Sequence, residues 1–270
     1  MPSMVNEERC SDTWRLLDCS YDSAFRNLAT EEALARNASS KNFRPTIRFW
    51  VNPQCVVLGR FQKPSAEVDT SVCQRSGIQI ARRFTGGGTV FHDKGNLNFT
   101  IVTRPEMKSN LTGLNEAASA IILDALSGLG LEGSALFPNS IIVGTKKVSG
   151  AAAALGSGFI LWHSSILVST NIEILELVLA PSRKANVTHF VHSRWHPVTT
   201  LQDALGHSVG VDDVKSRLIK SAQEILCVKL EAGRLRTEEE RWCTNLFNRK
   251  YSSPNWNQNG KYEEIQEGLG

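Results

Sequence analysis

The chain has 270 residues, enough for one large domain with a full core or two small ones. It is 41% hydrophobic and 21% charged, and 30 basic against 27 acidic residues leave a net charge of +3, too balanced for a nucleic-acid binder or a membrane-surface protein. No apolar run is long enough to span a membrane, the polar start has no signal-peptide core, six scattered cysteines lack metal-ligand spacing, and a chain this long argues against a disulfide framework, so a cytoplasmic protein is expected.

Residues 1–12 read as a flexible start. Over residues 21–36, Phe25, Leu28, Ala29, Ala33 and Leu34 recur at helical spacing. Residues 46–51 and 55–59 are β-rich runs separated by Asn52-Pro53, which predicts a hairpin. Asp69 caps a short helix to Ser76, and 78–83 reads as a strand. His92-Asp93-Lys94-Gly95 supplies a turn into 96–102, where Leu97, Phe99 and Ile101 alternate onto one face. Residues 111–129 read as a helix ending at Gly130. Strands are predicted at 141–143, 147–151 and 159–168, then helices at 172–179, 211–226 and 237–250. Strands in runs with helices around them predict an α+β fold, a largely antiparallel mixed sheet flanked by helices.

The most informative stretch is Arg82-Arg83-Phe84-Thr85-Gly86-Gly87-Gly88-Thr89-Val90-Phe91-His92-Asp93. Consecutive glycines let a ligand lie directly against backbone N–H groups, and arginine offers planar donors for carboxylate or phosphate. The pattern therefore predicts an anion or nucleotide cradle. It is neither a P-loop, lacking Gly-Lys-Ser/Thr, nor a dinucleotide fingerprint, its glycines being contiguous and leading into a strand.

This stretch resembles the signature of the lipoate–protein ligase family. Three further segments match in order: Phe25-Arg26-Asn27-Leu28-Ala29-Thr30-Glu31-Glu32-Ala33, Gly144-Thr145-Lys146-Lys147-Val148-Ser149-Gly150-Ala151 followed by Trp162-His163, and Phe247-Asn248-Arg249-Lys250-Tyr251-Ser252-Ser253-Pro254-Asn255-Trp256-Asn257. The resemblance runs from about residue 14 to 257 and implies the fold shared by biotin and lipoate ligases, with a catalytic domain over 13–258 and a tail over 259–270. It also implies a two-step reaction. Lipoate attacks the α-phosphate of ATP, aided by Mg²⁺, to give lipoyl-AMP; an acceptor lysine then attacks the mixed anhydride. The implied acceptor is a lipoyl domain of the 2-oxoacid dehydrogenase E2 or glycine-cleavage H-protein type.

The resemblance assigns the catalytic role to Lys147, which precedes Val148-Ser149-Gly150, and leaves Lys146 peripheral. It places Arg83, Thr85 and the N–H groups of Gly86, Gly87 and Gly88 beside the acyl-adenylate, with Arg82 structural. Val90, Phe91, Ser149, Gly150 and Ala151 complete the nucleotide side. His92 either bonds phosphate or ribose or is a turn histidine; Asn96 contacts nucleotide or fixes the turn. Trp50 and His163 line the lipoyl pocket or pack the core. Glu32 is a pocket-facing carboxylate or a solvent-facing helical one.

Two departures bear on ATP activation. Ser140 stands where many family members have an acidic residue for Mg²⁺ and phosphate, and residues 151–158, read as a closing loop, carry no basic residue. The alternative is a lipoyl or octanoyl transferase using preformed acyl-AMP or an acyl carrier; residues 131–149 contain no cysteine nucleophile of the kind common in the carrier-dependent class. A catalytically silent lipoate- or nucleotide-binding protein is a third reading. Biotin ligation is disfavoured because its Gly-Arg-Gly-Arg-x-x-Arg signature is missing. The ending at Gly270 resembles the archaeal-type large subunit, so a separate small accessory subunit is expected.

Overall fold

The computed structural model describes residues 12–105, 110–179 and 193–262; the expected flexible start lies outside these except for Asp12, and most of the expected tail lies outside too. The described chain begins with strand β1 (Asp12–Asp18) and helix α1 (Ala24–Arg36), whose first turn is capped by the Ser23 hydroxyl. Strands β2 (Thr46–Trp50) and β3 (Cys55–Leu58) follow, then short helices α2 (Pro64–Glu67) and α3 (Thr70–Arg75), the latter capped by Asp69 as expected. Strands β4 (Gln79–Arg82) and β5 (Val90–His92) flank the glycine loop and lead to β6 (Asn96–Thr103). Helix α4 (Leu111–Ser127) precedes β7 (Gly133–Leu136), β8 (Ser140–Val143), β9 (Lys146–Gly156) and β10 (Phe159–Leu167). Helices α5 (Ile172–Val178), α6 (Leu201–Leu205) and α7 (Val211–Leu226), strand β11 (Val228–Ala232) and helix α8 (Thr237–Leu246) come next. A π-helical turn over Phe247–Tyr251 then leads to α9 (Pro254–Asn259).

The expected α+β fold is present as an eight-stranded sheet, order β11-β1-β2-β6-β10-β9-β8-β7, and a three-stranded sheet, order β4-β3-β5. Pairing in the large sheet is antiparallel except around β1, which runs parallel to β2 and β11. Leu97, Phe99 and Ile101 on one face of β6 join the main core with residues of α4 and α7. The other face carries Asn96, Asn98 and Thr100, also buried, which no solvent-facing strand would show.

Two expectations are corrected. Residues 46–51 and 55–59 do not form a hairpin: β2 pairs with β1 and β6, whereas β3 pairs with β4 and β5 in the other sheet. The link between them is not a free turn, because Asn52 is fully buried and bridges Asn27 and His92. Residues 151–158 are not a loop either. β9 runs on to Gly156, with Ala151 to Leu155 in register with Ser164 to Ile160 of β10. The ladder decides the conformation there, and alanine's low strand preference does not override it.

Candidate functional site

The glycine loop is built around two buried arginines with different duties. Arg82 donates to six backbone carbonyls, those of Gly59, Arg60 and Gln62 on one side and of Trp256, Asn257 and Gln258 on the other. It staples the end of α9 to the loop after β3. Arg83 holds the glycine loop itself: Nη2 donates to Gly86 O at 2.6 Å and Gly88 O at 2.7 Å, Nη1 to Val57 O at 3.2 Å, and Nε to Thr85 Oγ1 at 2.9 Å. Burial lowers its pKa to about 10, so it stays charged at neutral pH. Gly87 has φ +85°, open to glycine, and its carbonyl lies where a Cβ on Gly59 would sit, 2.1 Å away, so both positions need glycine.

Behind the loop runs a chain of buried polar groups. Thr85 Oγ1 meets His163 Nε2 at 2.9 Å, and His163 Nδ1 donates to Glu31 at 2.7 Å. Glu31 also accepts from the Thr100 hydroxyl, which in turn accepts from Trp50 Nε1 at 3.0 Å. Burial pushes the Glu31 carboxyl up, but the His163 charge and these bonds prevail, and its pKa falls below the usual range. A second chain fixes His92. Asn27 Nδ2 donates to Asn52 Oδ1, which aims Asn52 Nδ2 at His92 Nδ1, 3.0 Å away. His92 Nδ1 is therefore an acceptor, and its Nε2–H donates to Ser165 Oγ at 2.8 Å. Burial, with the like charges of Arg83 and His163, drops the His92 pKa to about 3. The ring is neutral at physiological pH.

Lys147 lies on β9 at an irregularity of the ladder: Ile141 pairs with Ser149 but Ile142 with Lys147, leaving Val148 extra and buried in the core. Its backbone is clamped by the segment before α6, with Lys147 N donating to Pro197 O at 2.8 Å and Thr199 N to Lys147 O at 3.0 Å. A Cβ on Gly150 would come within 2.7 Å of Lys147 Cε and Nζ, so that glycine gives the ammonium its place. Burial lowers the Lys147 pKa, and no carboxylate among the described residues offsets this.

These groups surround a cavity of about 280 Å³, with an adjoining one of about 120 Å³. Leu28, Trp50, Val57 and Val90 give the first an apolar side; Arg83, Lys147 and Arg194 give it positive charge; no carboxylate is among its described lining residues. Gly87, Gly88, His92, Gly150, Ala151 and His163 also lie on its walls, and Phe91 and Ser149 on those of the second cavity. Lys146 is exposed outside both. Thr85 sits one hydrogen bond behind the wall, and Gly86 contributes its carbonyl to Arg83. Asn96 is buried away from the cavity and donates to Ile166 O at 3.3 Å, which fixes β6 to β10.

Glu32 is neither pocket-facing nor solvent-facing. Its carboxylate is held by Lys250 Nζ at 2.7 Å, Tyr251 Oη at 2.6 Å and Arg36, which docks the C-terminal helices on α1. One residue along a helix turns a side chain by about 100°, so the cavity side goes to Glu31. Residues not singled out by sequence reasoning are Glu31, Gln62, Glu67 and Ser193. Ser193 Oγ accepts from the Thr89 amide at 2.8 Å and from Gln62 at 3.0 Å and donates to the fully buried Glu67. Nothing local marks these residues, because the contacts span over a hundred positions.

The family described as lipoyl protein ligase A/B catalytic domain matches residues 23–223. Lipoate-protein ligase A subunit 1 of Thermoplasma acidophilum is 32% identical over 244 residues, covering 86% of this chain and 90% of that protein. Octanoyltransferase LipM of Geobacillus kaustophilus is 26% identical over 273 residues, covering 91% and 98%. Among solved structures, a bi-partite lipoate protein ligase studied with its E2 lipoyl domain, from Thermoplasma acidophilum, superposes with a TM-score of 0.83 at 30% identity, covering 94% of this chain and 99% of that one. A lipoate-protein ligase A bound with ATP gives 0.79 at 30% identity, covering 91% and 98%. By family match, sequence identity and fold together, this chain belongs to the lipoyl protein ligase A/B catalytic domain family, a family of enzymes.

Proposed function

We propose that this chain is the catalytic subunit of a lipoate–protein ligase, forming lipoyl-AMP from lipoate and ATP and passing the lipoyl group to a lysine of an acceptor protein. One observation carries the reading. A desolvated lysine without a carboxylate partner among the described residues faces the same cavity as a pinned glycine loop, and that cavity also has an apolar side. A positively charged wall without carboxylates suits phosphate and carboxylate; Leu28, Trp50 and Val57 suit an alkyl tail.

In the first step a carboxylate oxygen of lipoate attacks the α-phosphorus and pyrophosphate leaves. In the second the ε-amine of the acceptor lysine attacks the acyl carbon, AMP leaves, and the amine gives up a proton. Negative charge develops on phosphoryl oxygens first and on the acyl oxygen second. Lys147 answers both, and the amides of the glycine loop add fixed donors whose positions Arg83 sets. The neutral His92 offers bulk and a fixed dipole without charge.

The donor set does not fit a resident Mg²⁺: among the described residues no carboxylate lines the main cavity, a single one, Glu176, lines the adjoining cavity, and no cluster of three or more His, Cys, Asp and Glu suits a metal. Magnesium belongs to the reading as part of the substrate Mg·ATP. The similarity to LipM and the serine at position 140 favour a second reading, transfer from a ready-made acyl donor without ATP activation.

Further parts of the proposal are an E2- or H-protein-type acceptor, a separate small subunit, a catalytic domain over 13–258 and a cytoplasmic location. The bi-partite relative supports the first two. For the location, Cys19, Cys55, Cys73 and Cys243 are free thiols. Incubation with ATP, Mg²⁺ and lipoate, read by mass spectrometry, tests the core reading. Lipoyl-AMP supports it. Consumption of supplied lipoyl-AMP without its formation from ATP, even with the small accessory subunit added, gives the second reading, and neither result ends both.

A further inference from the structure

A large apolar side chain stands almost fully in solvent beside the cavity. Phe137, in the turn between β7 and β8, is 91% exposed. The turn that carries it is pinned. Ala151 N donates to Asn139 O at 2.8 Å, Asn139 Nδ2 donates back to Ala151 O, and Asn115 Nδ2 of α4 donates to Pro138 O at 3.3 Å. Leu136 and Leu111 nearby in the same region are each 37% exposed. Phe137, Leu111 and Thr112 line a shallow groove floored by Ala152 and Ala153 of β9, and Phe137 and Pro138 also border the main cavity. The groove is thus continuous with the mouth of the site. Among the described strands β7 pairs on one side only, so its outer edge is open to a partner's backbone.

We infer that the Phe137 turn, with Leu111, Leu136 and the outer edge of β7, is the docking surface for the acceptor protein. The inference rests on the proposed transfer reaction. A lysine arm is short, so a folded acceptor must press its surface on the rim through which that arm enters. Because the turn backbone is already pinned at Pro138 and Asn139, contact has only the Phe137 side chain left to order there, and aromatic anchors carry a large share of interface energy. The charges at the mouth add a preference. Lys147 and Arg194 line the main cavity, where no carboxylate is among the described lining residues, and share the adjoining one with the exposed Glu176, so the net positive mouth gives a modest preference for an acceptor whose target lysine is flanked by acidic side chains.

The test supplies lipoyl-AMP directly, so that it is independent of ATP activation, and uses an E2 lipoyl domain as acceptor. The affinity for lipoyl-AMP, read by calorimetric titration, serves as the measurement that needs no docking surface. Leu111→Ser, outside the cavity wall, and Phe137→Ala are compared with the wild type. Phe137→Ala should raise the acceptor KM about tenfold and Leu111→Ser about three- to fivefold, while Leu111→Ser leaves the lipoyl-AMP affinity unchanged and Phe137→Ala lowers it far less than it raises the acceptor KM. An unchanged acceptor KM in both variants overturns the inference. So does an equal loss of lipoyl-AMP affinity, which assigns the turn to the small-molecule site. Loss of stimulation by an added accessory subunit at constant acceptor KM assigns the face to that subunit and also overturns it. A wild type that neither binds lipoyl-AMP nor modifies the acceptor ends the transfer reading itself, a distinct result.

Discussion

Arg83 is the residue whose role the structure changes most, and Arg83→Ala is the sharpest perturbation. Sequence reasoning gives it to the ligand. The structure gives its guanidinium to Val57 O, Gly86 O, Gly88 O and Thr85 Oγ1. The variant strips three carbonyls of a charged donor. A buried group left unpaired costs about 1–3 kcal/mol, and water reaching the half-exposed Gly86 and Gly88 keeps those two near the lower end. The sum is roughly 3–5 kcal/mol, or a drop of about 10 °C in Tm for a domain of this size. Lipoyl-AMP binding should weaken as well, because the loop amides lose their fixed positions. Arg83→Lys keeps the charge but not the fork, and should restore little of either. Urea melts and calorimetric titration with lipoyl-AMP on both variants decide the matter. Normal stability with lost binding, or full rescue of binding by lysine, would refute the scaffold role and return Arg83 to the ligand.

Lys147→Ala should keep the fold and lower acceptor lipoylation by about a hundred- to thousandfold, an electrostatic stabiliser being worth about 3–4 kcal/mol, whereas Lys146→Ala should stay near wild type in the same assay. His92 should make the protein acid-sensitive in a definite window. Its pKa is depressed to about 3 in the fold against about 6.5 unfolded, so the stability is fully present above about 6.5 and is lost as pH falls toward 3. Urea melts should show roughly 2 kcal/mol of this loss between pH 7 and pH 5, and His92→Gln should remove that part of the slope. Glu31 and Glu32, both held below the usual carboxylate range, lose their contribution only at lower pH. Ser140→Asp puts a carboxylate on the cavity wall; pyrophosphate release in the presence of Mg²⁺ should rise if ATP activation lacks a metal ligand, and an unchanged rate rejects that explanation.

Local signals reach as far as local causes do. The Asp69 cap, the alternation of Leu97, Phe99 and Ile101, and the helix over α7 are set by neighbours a few residues away, and all three stand in the structure. Strands β1, β7 and β11 leave no comparable mark. Each is at or near a sheet edge, and β1 and β11 become strands by parallel pairing with each other across more than two hundred residues. The mistaken hairpin has the same origin. Asn52-Pro53 resembles a turn, but a buried asparagine there joins two sheets.

The sequence by itself determined the family and the glycine loop and singled out Lys147, the one of the two lysines that lines the cavity, as the candidate, because a contiguous motif keeps its order however the chain folds. The tertiary structure decided which way the side chains face. Glu31 and Glu32 are adjacent and chemically identical, yet one supports His163 behind the cavity wall and the other binds Lys250 over 200 positions away. Arg82 and Arg83 divide in the same manner between the end of α9 and the glycine loop. Residue type sets what a group can bond. Only packing between distant segments sets what stands within 3 Å of it, because burial makes each such group satisfy its bonds with whatever the fold brings near.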